Sequence, residues 1–229
     1  MALRRARHLS KAWLTSAFFL WQRQRHIDPC LMNVKTLSLS GLTPPIVELP
    51  AGQSWHRVQL TKALKGSVRV SGFILPPAGA LAGRFDLADE PVAYLADSDA
   101  TTLYERFFRR ETRSLHIDQL KMRSLVVFTT TATLRLADLR ALPEQFPVLV
   151  SQRYELSQLT ARTCRDRGLH GLLYASAQHP EHACLCLFSE GISRMKRSSQ
   201  MSLIQAGTGA LHKAVVLAAR GSQVPLLSD

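Results

Sequence analysis

One passage, residues 76–110, limits most tightly what this chain can fold into. Pro76-Pro77-Ala78-Gly79 and Gly83 interrupt regular structure in quick succession, so this stretch reads as loop. Residues 92–96 are a short apolar run, right in length for a buried strand. Asp97 or Ser98 then offers a side-chain oxygen to an orphan amide of a first helical turn, and a helix is expected to run to about Arg110. Leu103, Tyr104, Phe107 and Phe108 share one face of that helix. Loop, short strand and short helix in immediate sequence predict strands and helices packed together in a mixed α+β fold.

The flanking sequence repeats this grain. Residues 55–60 read as the first strand of the body. Residues 67–75 alternate through Val68, Val70, Gly72 and Ile74 as an edge strand would. Residues 124–136, rich in Val, Phe and Thr, read as strand. Residues 139–146 form a short helix or turn stopped by Pro147, and 152–167 a helix ended by Gly168. Residues 171–176 and 184–188 are strands flanking a polar loop. Beyond Ser189 the chain is basic through Arg194, Lys196 and Arg197, then apolar over 211–219. There is no internal repeat. The expected core is a compact mixed sheet in which short strands outnumber helices.

A chain of 229 residues, 46% hydrophobic and of mean hydropathy near zero, suits one globular domain with additions. Its net charge of +12 is uneven. Residues 1–35 carry Arg4, Arg5, Arg7, Lys11, Arg23, Arg25 and Lys35 against Asp28 alone, half of the excess. This basic N-terminal extension contains an apolar run, 12–21, too short to span a bilayer and followed by Gln22-Arg23-Gln24-Arg25-His26 rather than a small-residue cleavage site. An amphipathic surface helix and an unstructured extension, with Met32 as an alternative start, both fit; no stable membrane insertion is expected. Residues 36–53, with Thr43-Pro44-Pro45 and Pro50-Ala51-Gly52, read as a linker to a body spanning 54–229. Cys30, Cys164, Cys184 and Cys186 make no dense disulfide framework, which suits a reducing, cytoplasmic setting.

Within the constraining passage lie one cation, one aromatic hydroxyl and one carboxylate: Arg84, then Tyr94, then Glu105. Each residue type could serve a dinucleotide, as a charge for phosphate, a ring for stacking and an acid for the sugar. Gly83-Arg84-Phe85-Asp86, Val92-Ala93-Tyr94-Leu95-Ala96-Asp97-Ser98 and Leu103-Tyr104-Glu105 together resemble the core of the RES-domain toxins. Trp55-His56-Arg57-Val58 resembles that family's opening strand, and Arg167-Gly168-Leu169-His170-Gly171-Leu172-Leu173-Tyr174-Ala175-Ser176 its glycine–apolar–Ser segment. Leu185-Cys186-Leu187-Phe188 resembles the strand that follows, so the likeness covers roughly residues 54–190.

This resemblance implies a fold like that of ADP-ribosyltransferases and an enzyme that destroys NAD at the nicotinamide–ribose bond, by hydrolysis or phosphorolysis. NAD is then the substrate, with no metal expected. It also implies a bacterial toxin held in check by a helix-turn-helix, Xre-like antitoxin, and leaves a homo-oligomer open. Glu105 would stabilise oxocarbenium character on the ribose. Arg57 and Arg84 would bind phosphate bidentately. Tyr94 would stack on nicotinamide, and Ser176 would position rather than attack. The family commonly has an aromatic–Asn pair after its Gly-Arg; Phe85-Asp86 here is expected to bring a negative charge close to the phosphates.

Rival readings of the same residues are plainer. Glu105 could be a solvated helix residue paired with Arg109, Arg84 a surface arginine, Tyr94 core and Ser176 a turn residue. His179, His182, Cys184 and Cys186 fall within eight residues, but not at a common zinc spacing; the two thiols are expected to share a strand face. Two functional alternatives remain beside NAD cleavage. One is ADP-ribosylation of a macromolecule in the same pocket, and the other a non-catalytic basic module for nucleic acid or anionic membrane.

Overall fold

The computed structural model describes residues 42–144, 146–151 and 153–228. The basic extension over 1–35 and the first part of the expected linker lie outside the described residues. Among these described residues are twelve strands and five α-helices. The strands are β1 (Ile46–Leu49), β2 (Ser54–Leu60), β3 (Val68–Val70), β4 (Phe73–Leu75), β5 (Ala93–Ala96), β6 (Leu115–His116), β7 (Arg123–Thr130), β8 (Leu134–Asp138), β9 (Gly171–Ala175), β10 (Ala183–Leu187), β11 (Met195–Ser202) and β12 (Leu226–Leu227). The helices are α1 (Asp99–Arg106), α2 (Asp118–Lys121), α3 (Tyr154–Asp166), α4 (Ser189–Ser193) and α5 (Lys213–Ser222). The class is mixed α+β, as the sequence predicts. Among the described residues no helix is long and apolar enough to cross a membrane.

Eight strands make one mixed sheet in the order β1-β8-β9-β10-β5-β2-β7-β11. The pair β8/β9 is parallel and its other pairs are antiparallel. Alternation along the strands sends successive side chains to opposite faces. One face carries a continuous core of Trp55, Leu95, Phe128, Leu136, Leu173 and Leu185, covered by Phe73 and Leu75 of the β3–β4 hairpin. Phe73 stacks on Phe128 with ring centroids 3.6 Å apart. The opposite face holds two clusters. Val58 and Leu125 pack under α1 and α5 with Leu103, Phe107 and Val215. Leu172, Cys186 and Phe85 pack under α3 with Ala161 and Cys164.

Several expectations need correction. Ile46–Leu49, inside the span read as a linker, is an edge strand paired with β8. Residues 67–75 are a hairpin rather than one strand, because Ser71 and Gly72 both take positive φ (49° and 86°), as a two-residue hairpin turn demands. Residues 124–136 divide between β7 and β8, which are not neighbours in the sheet. The helix expected to reach Arg110 stops at Arg106. The amides of Phe107 and Phe108 both converge on the Leu103 carbonyl (2.8 and 3.2 Å), which ends the regular ladder and buries both rings.

At its start, α1 is capped by Ser98, whose Oγ accepts from the Thr101 amide at 3.1 Å. It is fixed to β2 where the Val58 amide donates to Thr102 Oγ1 at 3.2 Å. Ser98→Ala is expected to lower stability by about 1 kcal/mol through the lost cap. Phe73→Ala, which empties a fully buried ring site, should lower it by ~3–5 kcal/mol. Urea unfolding midpoints of the two variants check both the values and their order.

Candidate active site

The site forms where the sheet parts. Strands β5 and β2 share one register pair, His56↔Ala96. At the next residue the side chain takes over from the backbone: Arg57 Nη1 donates to the Tyr94 carbonyl at 2.7 Å. Arg57 Nε is buried and has no partner among the described residues. Burial first, then the like charges of Arg106 and Arg123, pull this guanidinium down to about 10, still cationic at neutral pH.

Tyr94 carries the linkage onward. Its hydroxyl accepts from the Phe85 amide (2.8 Å) and donates to Asp86 Oδ1 (2.9 Å), while Asp86 Oδ2 accepts from the Gly83 amide (2.7 Å). Burial, then neighbouring Cys186 and Asp86, push the Tyr94 phenol well up, so it remains the donor in that pair. Gly83 is closely packed: a Cβ there would lie 2.5 Å from Asp86 Oδ1 and 2.6 Å from the Tyr94 hydroxyl, so a larger residue would displace both groups. Two features of the loop stand out. The Asp86 carboxylate is turned into its own loop, holding Gly83 and Tyr94. The Tyr94 hydroxyl is committed inside the protein, leaving only the half-buried ring to face a ligand.

This loop presents Arg84, half-buried, with its Nε buried and unpartnered among the described residues. Gln158 of α3 steadies the loop by donating to the Leu81 and Gly83 carbonyls (3.2 and 3.0 Å). Arg84 lines a shallow, open depression with Phe85, Leu139, Leu149 and Tyr174, too small as it stands to enclose a ligand.

Glu105 and Ser176 meet on the far side of Tyr174. Glu105 Oε1 accepts from Ser176 Oγ (2.6 Å), the Ala177 amide (3.0 Å) and the Gln178 amide (3.3 Å). No described donor reaches Oε2. The Ser176 hydroxyl also accepts from the His179 amide at 2.9 Å, so it both ties the loop and orients the carboxylate. Arg109 meets Glu105 only at its backbone carbonyl (Nε to O, 2.9 Å), not in the side-chain pair of the plainer reading. Between the two groups sits Tyr174. Burial first, then Cys184 and Glu105, push its phenol well up, while Arg84 opposes them.

The structure thus brings Glu105 to Ser176 and Arg57 to Tyr94, and hangs Arg84 from Tyr94 through the loop. A profile of the RES domain matches residues 54–205 of the chain. The chain belongs to the RES domain family. A chain of the crystal structure of the M. tuberculosis MbcT–MbcA toxin–antitoxin complex is similar, with a TM-score of 0.49 and 15% identity over 68% of this chain and 86% of that one. No curated protein matches.

One residue of this RES domain's candidate site, Tyr174, escaped the sequence reading. It carries no role of its own in the motif around it, although strand alternation puts it on the same side as Ser176. The run from His179 to Cys186 is structural. His179 and His182 stack with centroids 3.9 Å apart, their Nδ1 atoms bonded to Thr101 Oγ1 (2.8 Å) and Asp97 Oδ1 (2.9 Å). Cys184 and Cys186 are buried thiols whose pKa burial pushes far up, on one strand face as expected. Among the described residues no group of three or more His, Cys, Asp or Glu could hold a metal.

Two outcomes follow for this RES domain. Asp86→Asn keeps one acceptor for the Gly83 amide and can donate to the Tyr94 oxygen, so its urea midpoint should stay near wild type. Asp86→Ala strands both donors and should lose ~1–3 kcal/mol. The second concerns pH. Burial, then His182, lowers the His179 pKa from its ordinary 6.5, against Asp97. A histidine depressed in the folded state takes up its proton more readily when unfolded, so stability should fall as pH drops below 6.5. His56 and His170 act in the same direction, and the depressed carboxylates Asp89, Asp138 and Glu190 act only at more acid pH. The unfolding free energy is expected to decline from about pH 7 to about pH 5, and His179→Gln to flatten that decline in pH-resolved urea titrations.

Proposed function

We propose that this RES domain consumes NAD by cleaving its nicotinamide–ribose bond, as a toxin-like enzyme normally restrained by an antitoxin. The observation that carries this reading is the Glu105 carboxylate. One oxygen is held by three donors and the other is engaged by no described donor, in a chain whose Arg57 and Arg84 keep buried Nε atoms unpartnered among the described residues. In the reaction the C1′–N bond breaks and its electron pair leaves with nicotinamide, which departs neutral. The oxocarbenium character left on the ribose is stabilised by Glu105, whose Oε2 is free to hold a ribose hydroxyl. Water or phosphate oxygen then bonds to C1′; a water molecule loses one proton in doing so. Arg57 and Arg84 bind the phosphates, and the Tyr94 and Tyr174 rings flank the nicotinamide side. Ser176 is given a positioning role: its hydroxyl donates to the Glu105 carboxylate, and no described histidine accepts from it.

The chemistry needs no metal, and the family resemblance supports a cytoplasmic toxin paired with a helix-turn-helix antitoxin. Transfer of ADP-ribose to a macromolecule would use the same groups, so it remains the second reading.

Purified protein incubated with NAD should release free nicotinamide. Glu105→Gln should slow release by about 10²-fold or more, the scale seen when one preorganised charge-stabilising group is removed. Ser176→Ala should lose less, since the Ala177 and Gln178 amides still hold Oε1. Absence of release from wild type, or equal release from Glu105→Gln, overturns the assignment. Mass spectrometry of extracts exposed to protein and NAD separates the readings, because only a transferase adds an ADP-ribose mass to a target.

A further inference from the structure

We infer that the stacked rings of His179 and His182 are positioning residues for Glu105, a proton-sensitive clasp that keeps the carboxylate aimed only while His179 is uncharged. The inference rests on the NAD reading only for the activity the clasp would govern. The turn that gives Glu105 its three donors, residues 176–178, runs straight into His179. The His179 amide closes that turn on Ser176 Oγ at 2.9 Å, and its ring reaches α1 twice. Its Nδ1 bonds Thr101 Oγ1 at 2.8 Å, and the ring meets that of Tyr104, the residue before Glu105, with centroids 4.8 Å apart. The His182 ring lies almost flat on it, 3.9 Å away and 12° from parallel. His182 is tied in turn to Asp97, whose Oδ1 bonds its Nδ1 (2.9 Å) and whose Oδ2 accepts from the Ala183 amide (2.8 Å). Between the two histidines Glu181 takes a φ of 67°, a conformation that side chains resist, so the loop is bent against its own preference and relaxes once the rings part.

The two histidines are not equivalent toward a proton. A carboxylate only accepts, so His182 donates from Nδ1 to Asp97, and a charge on its ring is met by that oxygen. A charge on His179 meets only the neutral Thr101 hydroxyl and lies against the His182 ring. With both rings protonated, two like charges face each other at 3.9 Å and repel. Burial, then His182, accordingly lowers the His179 pKa from 6.5, with Asp97 opposing. The other ionisable groups about the pair are Tyr104 and Glu105 on α1, Asp97 after β5, exposed Glu181 in the loop, and Cys184 on β10, whose thiol burial keeps protonated. His56 on β2, under the influence of Asp99 and Asp97, also has a pKa lowered by burial. As pH falls below 6.5, His179 takes up its proton, the rings part, the turn opens and Glu105 Oε1 loses its donors. Raising the pH restores them.

Nitrogen–proton NMR of the full-length protein should show the Ala177 and Gln178 amide protons moving upfield from about pH 7 to about pH 5, with the midpoint of the His179 ring, as bonds to a carboxylate are lost. Circular dichroism checks the fold at each pH. In His179→Asn, whose amide stands near the place of Nδ1 and takes no charge, the two amides should hold still. His56→Gln should leave the wild-type movement in place. Amides that stay put while the His179 ring titrates, or that move alike in His179→Asn, overturn the clasp; the wild-type comparison decides even where the variant fails to fold. With NAD as substrate, kcat for nicotinamide release should fall about ten-fold per pH unit below that midpoint in wild type, with KM little changed, and His179→Asn should carry the limb to lower pH. Amide movement without any nicotinamide release keeps the clasp and removes the NAD reading; release with the amides unmoved removes the clasp alone.

Discussion

The hydrogen bond from Arg57 to the Tyr94 carbonyl stands where a strand-to-strand ladder would otherwise continue. Strands β5 and β2 meet at one register pair and then separate. A parted sheet leaves carbonyls without partners, and burying such a group unmet costs about 1–3 kcal/mol. A guanidinium answers the carbonyl from the side, but brings a charge into the parting. Removing it would free the Tyr94 carbonyl and collapse the gap toward ordinary sheet. Keeping it holds one cation, Arg57, at the parting. The Tyr94 backbone therefore belongs to the sheet while its side chain governs the loop, through the bonds of its hydroxyl to Phe85 and Asp86. Arg57, Tyr94, Asp86, Gly83 and Arg84 form one mechanical sequence, in which the position of the last cation follows from the first.

Glu105 is held from the other bank of the opening. Its three donors come from one turn, residues 176–178, and that turn is itself closed by the bond of the Ser176 hydroxyl with the His179 amide. The stacked His179 and His182 rings anchor the turn to Thr101 and Asp97 at the start of α1, the helix that carries Glu105. Helix and turn are thus joined at both ends, which fixes the carboxylate's direction more firmly than a helix side chain alone could. This double attachment is why a single oxygen takes all the donors while the other is left facing the site.

What was legible in the sequence was local. The Ser98 cap, the glycine stop at Gly168, the strands at residues 55–60 and 92–96, and the paired strands flanking the 176–182 loop all announce themselves within a few residues. The edge strand Ile46–Leu49 did not, because prolines at 44, 45 and 50 read as linker; prolines flanking an edge strand remove no ladder bond that the sheet needs. The hairpin turn at Ser71-Gly72 was hidden because a serine at positive φ leaves no mark on an alternating pattern. Strand order was out of reach altogether, since β7 and β8 follow one another in sequence yet lie on opposite sides of β5. Arg57, Arg84, Tyr94, Glu105 and Ser176 could be named only because their order along the chain resembles a family.

The disposition of the arginines bears on the choice between an enzyme and a basic binding module. A module that binds a polyanion by counterion release places its cations outward, where hydrated lysines and arginines meet phosphates along a surface. Arg57 is instead half-buried at the parting of β5 and β2, and Arg84 half-buried on the 83–86 loop, each with Nε shielded from solvent and unpartnered among the described residues. Holding a guanidinium there carries a desolvation penalty that an extended electrostatic surface has no reason to bear. Such a penalty is offset where a small anion enters and takes several donors at once, beside a carboxylate already aimed.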